Sequence, residues 1–353
     1  MEKIKVLHLL QSSKYSGAEN VVCQIINMNK QNEEVEMVYC SKDGPIRQIL
    51  EAYKIPFYPM KKLSIRELNT IVKKYKPDII HSHDATASVV SSLVIADSKI
   101  ISHLHSNPPW IKSNGINSIL YFLASVRFRK IFTVSNSIMN EYVYGDTLKR
   151  KTMMIGNPID NKSIQEKAII KDTNDSTYDV AFLGRLAAPK NPLKFIEIIN
   201  SLREFIPDIS AVIIGDGDLR TECEEYIKKF NLQKNVHLTG FLNNPYPQLS
   251  RTKVLCITSD WEGYGLAAVE ALSLGLPVLC TPAGGLTDIV NENCGKICLS
   301  NKDFVSELHK LLTDEVYWID KSRKSALQAT SISNVKEYMK KIVNEYTYIG
   351  SKK

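Results

Sequence analysis

Two glutamates, Glu262 and Glu270, stand eight positions apart in the segment SDWEGYGLAAVEALSLGLPVLCTPAGGLTDIV, with Gly263 and Gly265 between them. The apolar run at 254–258 precedes them, so we expect a strand, a glycine-containing turn and a helix. Backbone N–H groups converge where such a helix begins and favour an anion. A carboxylate on the helix is suited to a pair of vicinal hydroxyls. The pattern predicts a sugar-nucleotide pocket, although a plain scaffold with a solvated Glu270 also fits the pair alone.

Two more glycine turns follow apolar runs. In the first half Gly17 lies between a strand and a helix, where the backbone can approach a phosphate closely. In the second half Arg185 and Lys190 follow the run at 179–184. A guanidinium fork and an ammonium point charge at one strand exit are suited to a diphosphate, with ordinary surface charge as the alternative.

The loop GDGDLR at 215–220 excludes one cofactor. Arg220 stands where a G-x-G-x-x-G fingerprint needs glycine, so no nicotinamide dinucleotide is expected. Asp216 and Asp218 have a D-x-D spacing that can hold a divalent metal. We favour a turn in which Gly215 and Gly217 line the base of a nucleotide, and we assign no metal site and no cofactor.

Histidines end several apolar runs of the first half. His81 and His83 close one run, and His105 closes the next, ahead of a loop with Pro108 and Pro109. A histidine at a strand end is often structural. The prolines nevertheless make this loop a suitable wall for an acceptor sugar, so His105 is the favoured candidate.

Composition limits the classes of protein. The chain has 353 residues, 44% hydrophobic and 24% charged, which indicates a globular protein of two domains. No signal peptide or membrane-spanning run is expected, and seven scattered cysteines without zinc-site spacing favour a reducing, cytoplasmic setting.

The positive charge is concentrated in one half. Residues 1–170 hold 23 Lys and Arg against 15 Asp and Glu, whereas residues 171–353 hold 22 against 23. Such a basic half suits an anionic membrane leaflet or an acidic acceptor. Nucleic acid is not expected as a partner, because no binding motif accompanies the charge.

Short apolar runs alternate with longer amphipathic ones, which indicates parallel sheets covered by helices. The predicted strands are 4–10, 35–40, 78–83, 99–105, 130–135, 151–156, 179–184, 211–217, 235–240, 254–259 and 276–281, and three of the predicted helices are 18–30, 116–128 and 192–206. The polar stretch 160–177 interrupts them. We therefore predict a first domain at 1–165, closing near Asn157–Pro158, a second at 178–334, and a C-terminal helix within 335–353.

Taken together, these motifs resemble the retaining glycosyltransferases of family four. The resemblance covers nearly the whole chain, in order, through SGAE, the strand-end histidines, NPID (157–160), GRLAAPK (184–190), GDG (215–217), EGYGLAAVEALSLGLPV and the downstream GG. It implies the GT-B architecture, with two Rossmann-like doubly wound domains facing across a cleft, and a C-terminal helix that packs back on the first domain.

The resemblance also implies roles for single residues. Arg185 and Lys190 would bind the donor diphosphate, and Glu262 would contact the donor sugar. Glu270 would bind the ribose hydroxyls, and Gly17 would face the phosphates. The family's backbone contacts to sugar and phosphate fall on the segment Gly263, Tyr264, Gly265 and Leu266, and the histidine near the transferred sugar matches His105 loosely.

The implied reaction moves a hexose-type sugar from a nucleotide diphosphate, with UDP-sugar the favoured donor, to a glycan or polyprenyl-diphosphate-linked acceptor in surface polysaccharide synthesis. It would proceed with retention, without a metal, at the inner face of the cytoplasmic membrane. Three alternatives stay open: a UDP-sugar 2-epimerase of the same fold, a metal-dependent transferase using Asp216 and Asp218, and a non-catalytic nucleotide-sugar-binding scaffold.

Overall fold

A computed structural model describes residues 3–94, 97–170 and 176–351 of the chain. The chain divides into two compact units. Unit 1 comprises Met1–Pro158 together with Val335–Lys353, and unit 2 comprises Ile159–Asn334. Each unit is built on one sheet, and all the paired strands within both sheets are parallel.

The sheet of unit 1 has seven strands in the order β3-β2-β1-β4-β5-β6-β7. They are β1 (Ile4–Leu9), β2 (Val35–Lys42), β3 (Phe57–Met60), β4 (Ile79–His83), β5 (Lys99–Leu104), β6 (Phe128–Thr133) and β7 (Thr152–Met154). The strand order reverses between β1 and β4, and ligands of open α/β sheets bind at such a switch point, beyond the carboxyl ends of the strands.

Unit 2 repeats this plan with six strands in the order β10-β9-β8-β11-β12-β13. They are β8 (Tyr178–Leu183), β9 (Ala211–Ile214), β10 (Val236–Gly240), β11 (Thr252–Ile257), β12 (Val278–Cys280) and β13 (Gly295–Ile297). Here the switch point lies between β8 and β11, so the loops that follow these two strands are adjacent.

Helices cover the sheets because most strand residues are buried, and successive residues of a strand point to opposite faces. The α-helices are α1 (Gly17–Met28), α2 (Ile46–Ala52), α3 (Ile65–Tyr75), α4 (Asp84–Ser92), α5 (Ile116–Ala124), α6 (Ser137–Glu141), α7 (Gly145–Leu148), α8 (Asn161–Ala168), α9 (Pro192–Leu202), α10 (Arg220–Lys229), α11 (Tyr246–Leu249), α12 (Leu266–Ser273), α13 (Leu286–Ile289), α14 (Asn301–Thr313), α15 (Glu315–Ile332) and α16 (Val335–Ser351). Five 3-10 turns join them at Asn29–Gln31, Pro109–Lys112, Ser125–Arg127, Lys149–Lys151 and Ala188–Lys190.

The C-terminal helix α16 belongs to unit 1. It contacts β1, β2 and β4. Tyr338, Ile342, Tyr346 and Ile349 lie at intervals of three or four residues, so they share one face, and all four are buried in the core of unit 1. The last helix of the chain thereby completes the core of the first sheet.

Three predictions about the fold need correction. Two strands were missed: β3 contains Pro59 and β13 has only three residues, and both are edge strands with weak sequence signals. The polar stretch 160–177 is not a loop throughout, because it contains the helix α8, whose first turn Asp160 caps. Residues 171–175 of that stretch lie outside the described residues.

The boundary between the units lies before residue 165. Ile159 and Ile164 are buried in a core cluster of unit 2, together with Ala181 and Leu255 from its sheet. Apolar burial therefore places the segment from 159 onwards in unit 2, and the first segment of unit 1 ends at Pro158, the second residue of the predicted closing pair.

Candidate functional site

The loops after neighbouring strands of unit 2 are bonded to one another. The loop after β8 meets the loop after β9, where the Leu186 N–H donates to the Asp216 carbonyl at 3.0 Å. It also meets the loop after β11, where the Asp260 N–H donates to the Pro189 carbonyl at 2.9 Å. These bonds place the segments GRLAAPK, GDG and EGYG side by side at the carboxyl edge of the sheet.

Lys190 and Glu262 form the charged centre of this edge. The Lys190 ammonium donates to the Glu262 carboxylate, which also accepts a hydrogen bond of 2.8 Å from Ser259 Oγ. The Lys190 side chain is 32% exposed and that of Glu262 only 12%, so the pair is partly shielded from water. Sequence reasoning selected both residues. It missed Ser259, because the contact of its hydroxyl with the carboxylate depends on the conformation of the turn.

Arg185 lies on the same loop as Lys190 and is exposed. Its guanidinium has no ion pair with any residue that the structure describes, and its neighbour Gly184 leaves the end of β8 in an extended conformation. An unpaired guanidinium and a lysine on one loop supply two cationic groups beside Glu262.

Small residues let the loops approach. A Cβ on Gly215 would lie 1.9 Å from the Gly184 carbonyl oxygen, and one on Gly217 would lie 2.4 Å from the Leu186 carbonyl oxygen. Gly265 has φ +98°, a conformation that favours glycine, and a Cβ there would lie 2.6 Å from Leu286 Cδ2, so the Leu286 side chain would have to shift. These glycines are therefore required for the close packing of the loops.

Helix α12 begins directly after this turn. Gly263 and Tyr264 precede the cap residue Gly265, and the helix starts at Leu266, as the glycine pattern predicts. The first N–H groups of a helix have no partner within it. Glu270 lies one turn into α12, is half-buried, and accepts a hydrogen bond of 3.2 Å from the Tyr246 hydroxyl. Burial raises the pKa of Glu270, and the Tyr246 bond opposes that shift.

The Asp216 and Asp218 pair does not form a metal cluster with a third ligand among the residues that the structure describes. Asp216 accepts a hydrogen bond of 2.8 Å from the Gly217 N–H and pairs with Arg220 at 3.5 Å. Its carboxylate thus stabilises the turn.

In unit 1 a cavity of about 700 Å³ opens at the switch point between β1 and β4. Its lining includes residues of the loop after β1, three lysines and the end of β4. The charged and histidine members of that lining are Lys14, Glu19, Lys42, Lys62, His83 and Asp84. Lys14 and Lys62 lie on the loops after β1 and β3, and Lys42 is the last residue of β2, so sequence spacing did not indicate that they share a cavity.

Gly17 is the first residue of α1, capped by Ser16, and is exposed. The first turn also holds the buried side chain of Glu19, whose carboxyl accepts a hydrogen bond from Ser16 Oγ. The turn therefore has the predicted conformation, but a carboxyl group of the protein itself already lies at the start of the helix.

His105 lies just beyond β5 and is half-buried. Its backbone N–H donates to Asp84 Oδ1 at 3.0 Å, and its ring Nε2 lies 2.8 Å from His83 Nδ1. His8 and His103 join the same group of rings and were missed from the sequence. Burial raises the pKa of Asp84 to about 6 and lowers that of His105 to about 3.

Two doubly wound parallel sheets, one with cations and carboxylates at its strand ends, define a glycosyltransferase of the GT-B fold. Two family models account for most of the chain: the one described as Glycosyltransferase Family 4 matches residues 15–162, and the one described as Glycosyl transferases group 1 matches residues 163–330. The chain belongs to glycosyltransferase family 4.

Three individual proteins resemble the chain at identities of 18–29%. An uncharacterised glycosyltransferase of Methanocaldococcus jannaschii is 29% identical over 236 residues, which are 60% of this chain and 57% of that protein. The UDP-Gal:α-D-GlcNAc-diphosphoundecaprenol α-1,3-galactosyltransferase of Escherichia coli is 25% identical over 348 residues, 89% of each chain. The crystal structure of Anabaena HepE in complex with UDP superposes with a TM-score of 0.84 at 18% identity, covering 98% of this chain and 100% of that one.

The remaining structural expectations concern thiols and membranes. All seven cysteines are buried and free. No helix among the described residues is long and apolar enough to cross a membrane.

Proposed function

We propose that this glycosyltransferase moves a hexose-type sugar from a nucleotide diphosphate, with UDP-sugar as the favoured donor, to a glycan or polyprenyl-diphosphate-linked glycan acceptor, with retention at the anomeric carbon. The reaction serves surface polysaccharide synthesis. The observation that carries the proposal is the contact between Lys190 and Glu262 on adjoining loops, with Arg185 unpaired on the first of them.

The donor diphosphate gains negative charge as the glycosidic bond breaks. Arg185 and Lys190 stabilise this charge, together with the free N–H groups at the start of α12. Groups that are already oriented before the reaction stabilise the transition state without reorganisation. These residues perform the role that a divalent cation has in other transferases, so no metal is needed.

Lys190 exchanges partners when the donor binds. In the structure its ammonium is held by Glu262. A diphosphate carries more charge than one carboxylate and draws the ammonium to itself. Glu262 keeps its bond from Ser259 and becomes free to accept a hydrogen bond from a hydroxyl of the donor sugar. Donor binding and sugar recognition are thereby coupled through one lysine.

Glu270 binds the ribose. Among the described residues its carboxylate has one hydrogen-bond partner, the Tyr246 hydroxyl, and it lies half-buried one turn into α12. A carboxylate has several lone pairs, so two vicinal hydroxyls can donate to it while Tyr246 remains bound. Burial, which raises its pKa, also strengthens such hydrogen bonds.

The acceptor binds to unit 1. This unit holds 26 Lys and Arg against 15 Asp and Glu, and Lys14, Lys42 and Lys62 line its cavity. Ammonium groups from three separate parts of the chain suit a diphosphate-bearing acceptor. The Escherichia coli relative and one from Campylobacter jejuni, 27% identical over 256 residues, are both named for a diphosphoundecaprenol-linked substrate. The basic unit 1 also holds the enzyme at the anionic inner face of the cytoplasmic membrane.

The first experiment is a thermal-shift screen against uridine, guanosine and adenosine diphosphates and their sugar conjugates, with chelator present. A ligand that binds only the native state raises the unfolding temperature by mass action. We expect a rise with the uridine series. No response from folded protein to any nucleotide would overturn the donor site and would favour the scaffold alternative.

The second experiment incubates the preferred donor with a polyprenyl-diphosphate-linked sugar and assigns the product anomer by NMR. We expect a retained configuration and full rate in excess chelator. Loss of activity with chelator would favour the metal-dependent alternative at Asp216 and Asp218. Conversion of the donor to its epimer without acceptor would identify an epimerase, and donor binding without any turnover would identify a scaffold.

Membrane contact is tested by liposome flotation at low salt. We expect the protein to float with vesicles containing anionic lipid and not with neutral ones, and to dissociate as salt is raised. Equal partitioning to both would remove the membrane part of the proposal and leave the transferase activity unaffected.

A further inference from the structure

Five of the seven histidines of the chain form one cluster in unit 1. They are His8, His81, His83, His103 and His105. They come from three adjacent strands, β1, β4 and β5, at or just beyond the carboxyl ends. The strand register pairs His8 with His81 and His83 with His103, so alternate residues place these rings on one face.

Three of the rings form a head-to-tail chain. His8 Nδ1 lies 3.0 Å from His83 Nε2, and His83 Nδ1 lies 2.8 Å from His105 Nε2. The ring planes in the two pairs differ by only 21° and 26°, with centroids 5.3 and 5.1 Å apart. This geometry results when an N–H in the plane of one ring points at the nitrogen lone pair in the plane of the other ring. His83 therefore uses both ring nitrogens, one as donor and one as acceptor.

The other two histidines pack beside this chain. His81 lies over His83 with centroids 4.3 Å apart, and His103 lies over His105 at 4.0 Å. His81 also shares a hydrogen bond of 2.5 Å with the Tyr346 hydroxyl. Burial lowers the pKa of all five rings, to about 3 for His8 and His105, so the chain is uncharged near neutral pH.

A neutral imidazole carries one N–H, so the two hydrogen bonds that join the three rings must run in the same direction. Either all three rings are protonated on Nδ1, or all three on Nε2. At the inner end His8 Nε2 is buried without a partner among the described residues. His105 Nδ1, at the other end of the chain, has no partner among these residues either, so one of the two ends carries an unpaired N–H. That N–H costs less on His105, which is partly exposed, than on His8, which is 0% exposed. The arrangement with a bare Nε2 on His8, and so with N–H on the Nδ1 of His105, is the favoured one.

We propose that His8 and His83 are positioning residues for His105, and that they hold its ring in one orientation and in the tautomer protonated on Nδ1. The backbone of His105 is held separately by Asp84. Nδ1 is the ring nitrogen of His105 that the chain does not use, and among the described residues it has no partner. It is covered in this structure, so a substrate reaches it only after neighbouring groups move.

This assignment makes His105 a neutral hydrogen-bond donor to a substrate oxygen and not a general base. A base would need to take a proton on Nδ1, and the chain already places one there. Reversing the chain requires a proton to enter at His8 Nε2, where no partner supplies one. The link to sugar transfer rests on the proposed function, whereas the tautomer itself does not.

The test measures tautomers directly. Ring-15N-labelled histidine in the full chain gives seven sets of signals by long-range 1H–15N correlation, assigned through single substitutions. We expect His8, His83 and His105 to be neutral and protonated on Nδ1. Protonation of His105 on Nε2, or a mixture of tautomers, would overturn the proposal. A change in these signals after dialysis against chelator would also overturn it, because it would show that a metal ion holds the cluster.

Two substitutions of His83 separate positioning from simple packing. His83→Phe keeps a ring and removes both hydrogen bonds, so His105 should lose its single tautomer. His83→Gln supplies one donor and one acceptor and should restore it in part. If His83→Phe does not fold, His8→Phe removes only the bond between His8 and His83. Unchanged His105 signals in a folded variant would contradict the proposal. His309→Asn, at an exposed site in unit 2, is the matched control.

Kinetics connect the chain to the reaction. We expect His83→Phe to lower kcat about tenfold with little change in the KM for the donor, and His83→Gln to recover most of that loss. An equal effect of both variants, or a change confined to donor KM, would contradict positioning. If the wild-type protein shows no transferase activity, the proposed function fails, and the NMR result still decides whether the chain exists.

Discussion

The ammonium of Lys190 is bonded to the carboxylate of Glu262, a residue 72 positions away on the loop after the neighbouring strand. The sequence suggested separate roles, with Lys190 for the diphosphate and Glu262 for the sugar. Their contact means that neither group can be removed without changing the electrostatic surroundings of the other. Substitutions at the two positions should consequently have different effects.

Glu262→Ala is expected to lower transfer by about a hundredfold or more, as for loss of a transition-state contact. Affinity for the nucleoside diphosphate should stay within about threefold, or improve, because Lys190 loses its competing carboxylate. Isothermal titration with UDP and a transfer assay measure the two quantities. Loss of nucleotide affinity to the same degree as transfer would contradict the role assigned to Glu262.

Lys190→Ala should affect both quantities. It removes a charge-assisted bond worth about 1.5–3 kcal/mol, which is about ten- to a hundredfold in the Kd for UDP. It also leaves the Glu262 carboxylate, 12% exposed, without its counter-charge. Lys228→Ala, at an exposed position on α10, is the control for loss of one positive charge from unit 2. A variant at 190 that binds UDP like this control would exclude Lys190 from the diphosphate site.

Much of the donor side was predictable because its signal is local. Glycines at 215 and 265 stand where the chain must turn, and continuous apolar runs identify the buried strands beside them. The bond between Lys190 and Glu262 is not local. It depends on β8 and β11 being neighbours, which is a property of strand order, and sequence spacing alone does not reveal it.

The histidine cluster shows the same limit. The H-x-H spacing at 81–83 and 103–105 places each pair on one face of a strand. His8 joins them only because β1 lies beside β4 with His8 opposite His81. A lone histidine within the apolar run of β1 carries no signal of this register, so sequence reasoning named His81, His83 and His105 and missed His8.

Gly215→Ala is expected to destabilise unit 2. The residue has φ +145°, and a Cβ there would lie 1.9 Å from the Gly184 carbonyl oxygen, so the loops after β8 and β9 must separate. We expect a loss of about 1–3 kcal/mol in the free energy of unfolding and weaker nucleotide binding. Urea unfolding measures the first quantity. In the control Gly115→Ala the nearest atom would be 3.6 Å away, and an equal loss in both variants would refute the steric explanation.

Tyr346→Phe tests how α16 is held on the first sheet. The Tyr346 hydroxyl and His81 Nδ1 are both buried and 2.5 Å apart, so the change leaves a buried ring nitrogen unpaired. We expect about 1–3 kcal/mol lower free energy of unfolding for unit 1. Tyr53→Phe, at a side chain that is 45% exposed, is the control. Equal stability of the two variants would show that apolar packing alone holds α16.

Acid should destabilise unit 1 because of its buried histidines. An unfolded chain binds a proton at each histidine below about pH 6.5, whereas burial lowers the pKa of all five rings in the folded unit. The unfolded state therefore binds more protons, and the free energy of unfolding falls as pH falls below 6.5. Each ring contributes up to about 1.4 kcal/mol per pH unit. Asp84 opposes this below about pH 6, because burial raises its pKa.

The measurement is urea unfolding at pH 7.5 and pH 5.5 in a W261F/W318F background, where Trp110 reports on unit 1. We expect a much lower midpoint at pH 5.5. His103→Leu removes a ring whose two nitrogens have no partner among the described residues, so it should reduce the pH dependence. His309→Asn should leave it unchanged. If His103→Leu and the parent lose equal stability between the two pH values, the cluster is not the source of the acid sensitivity.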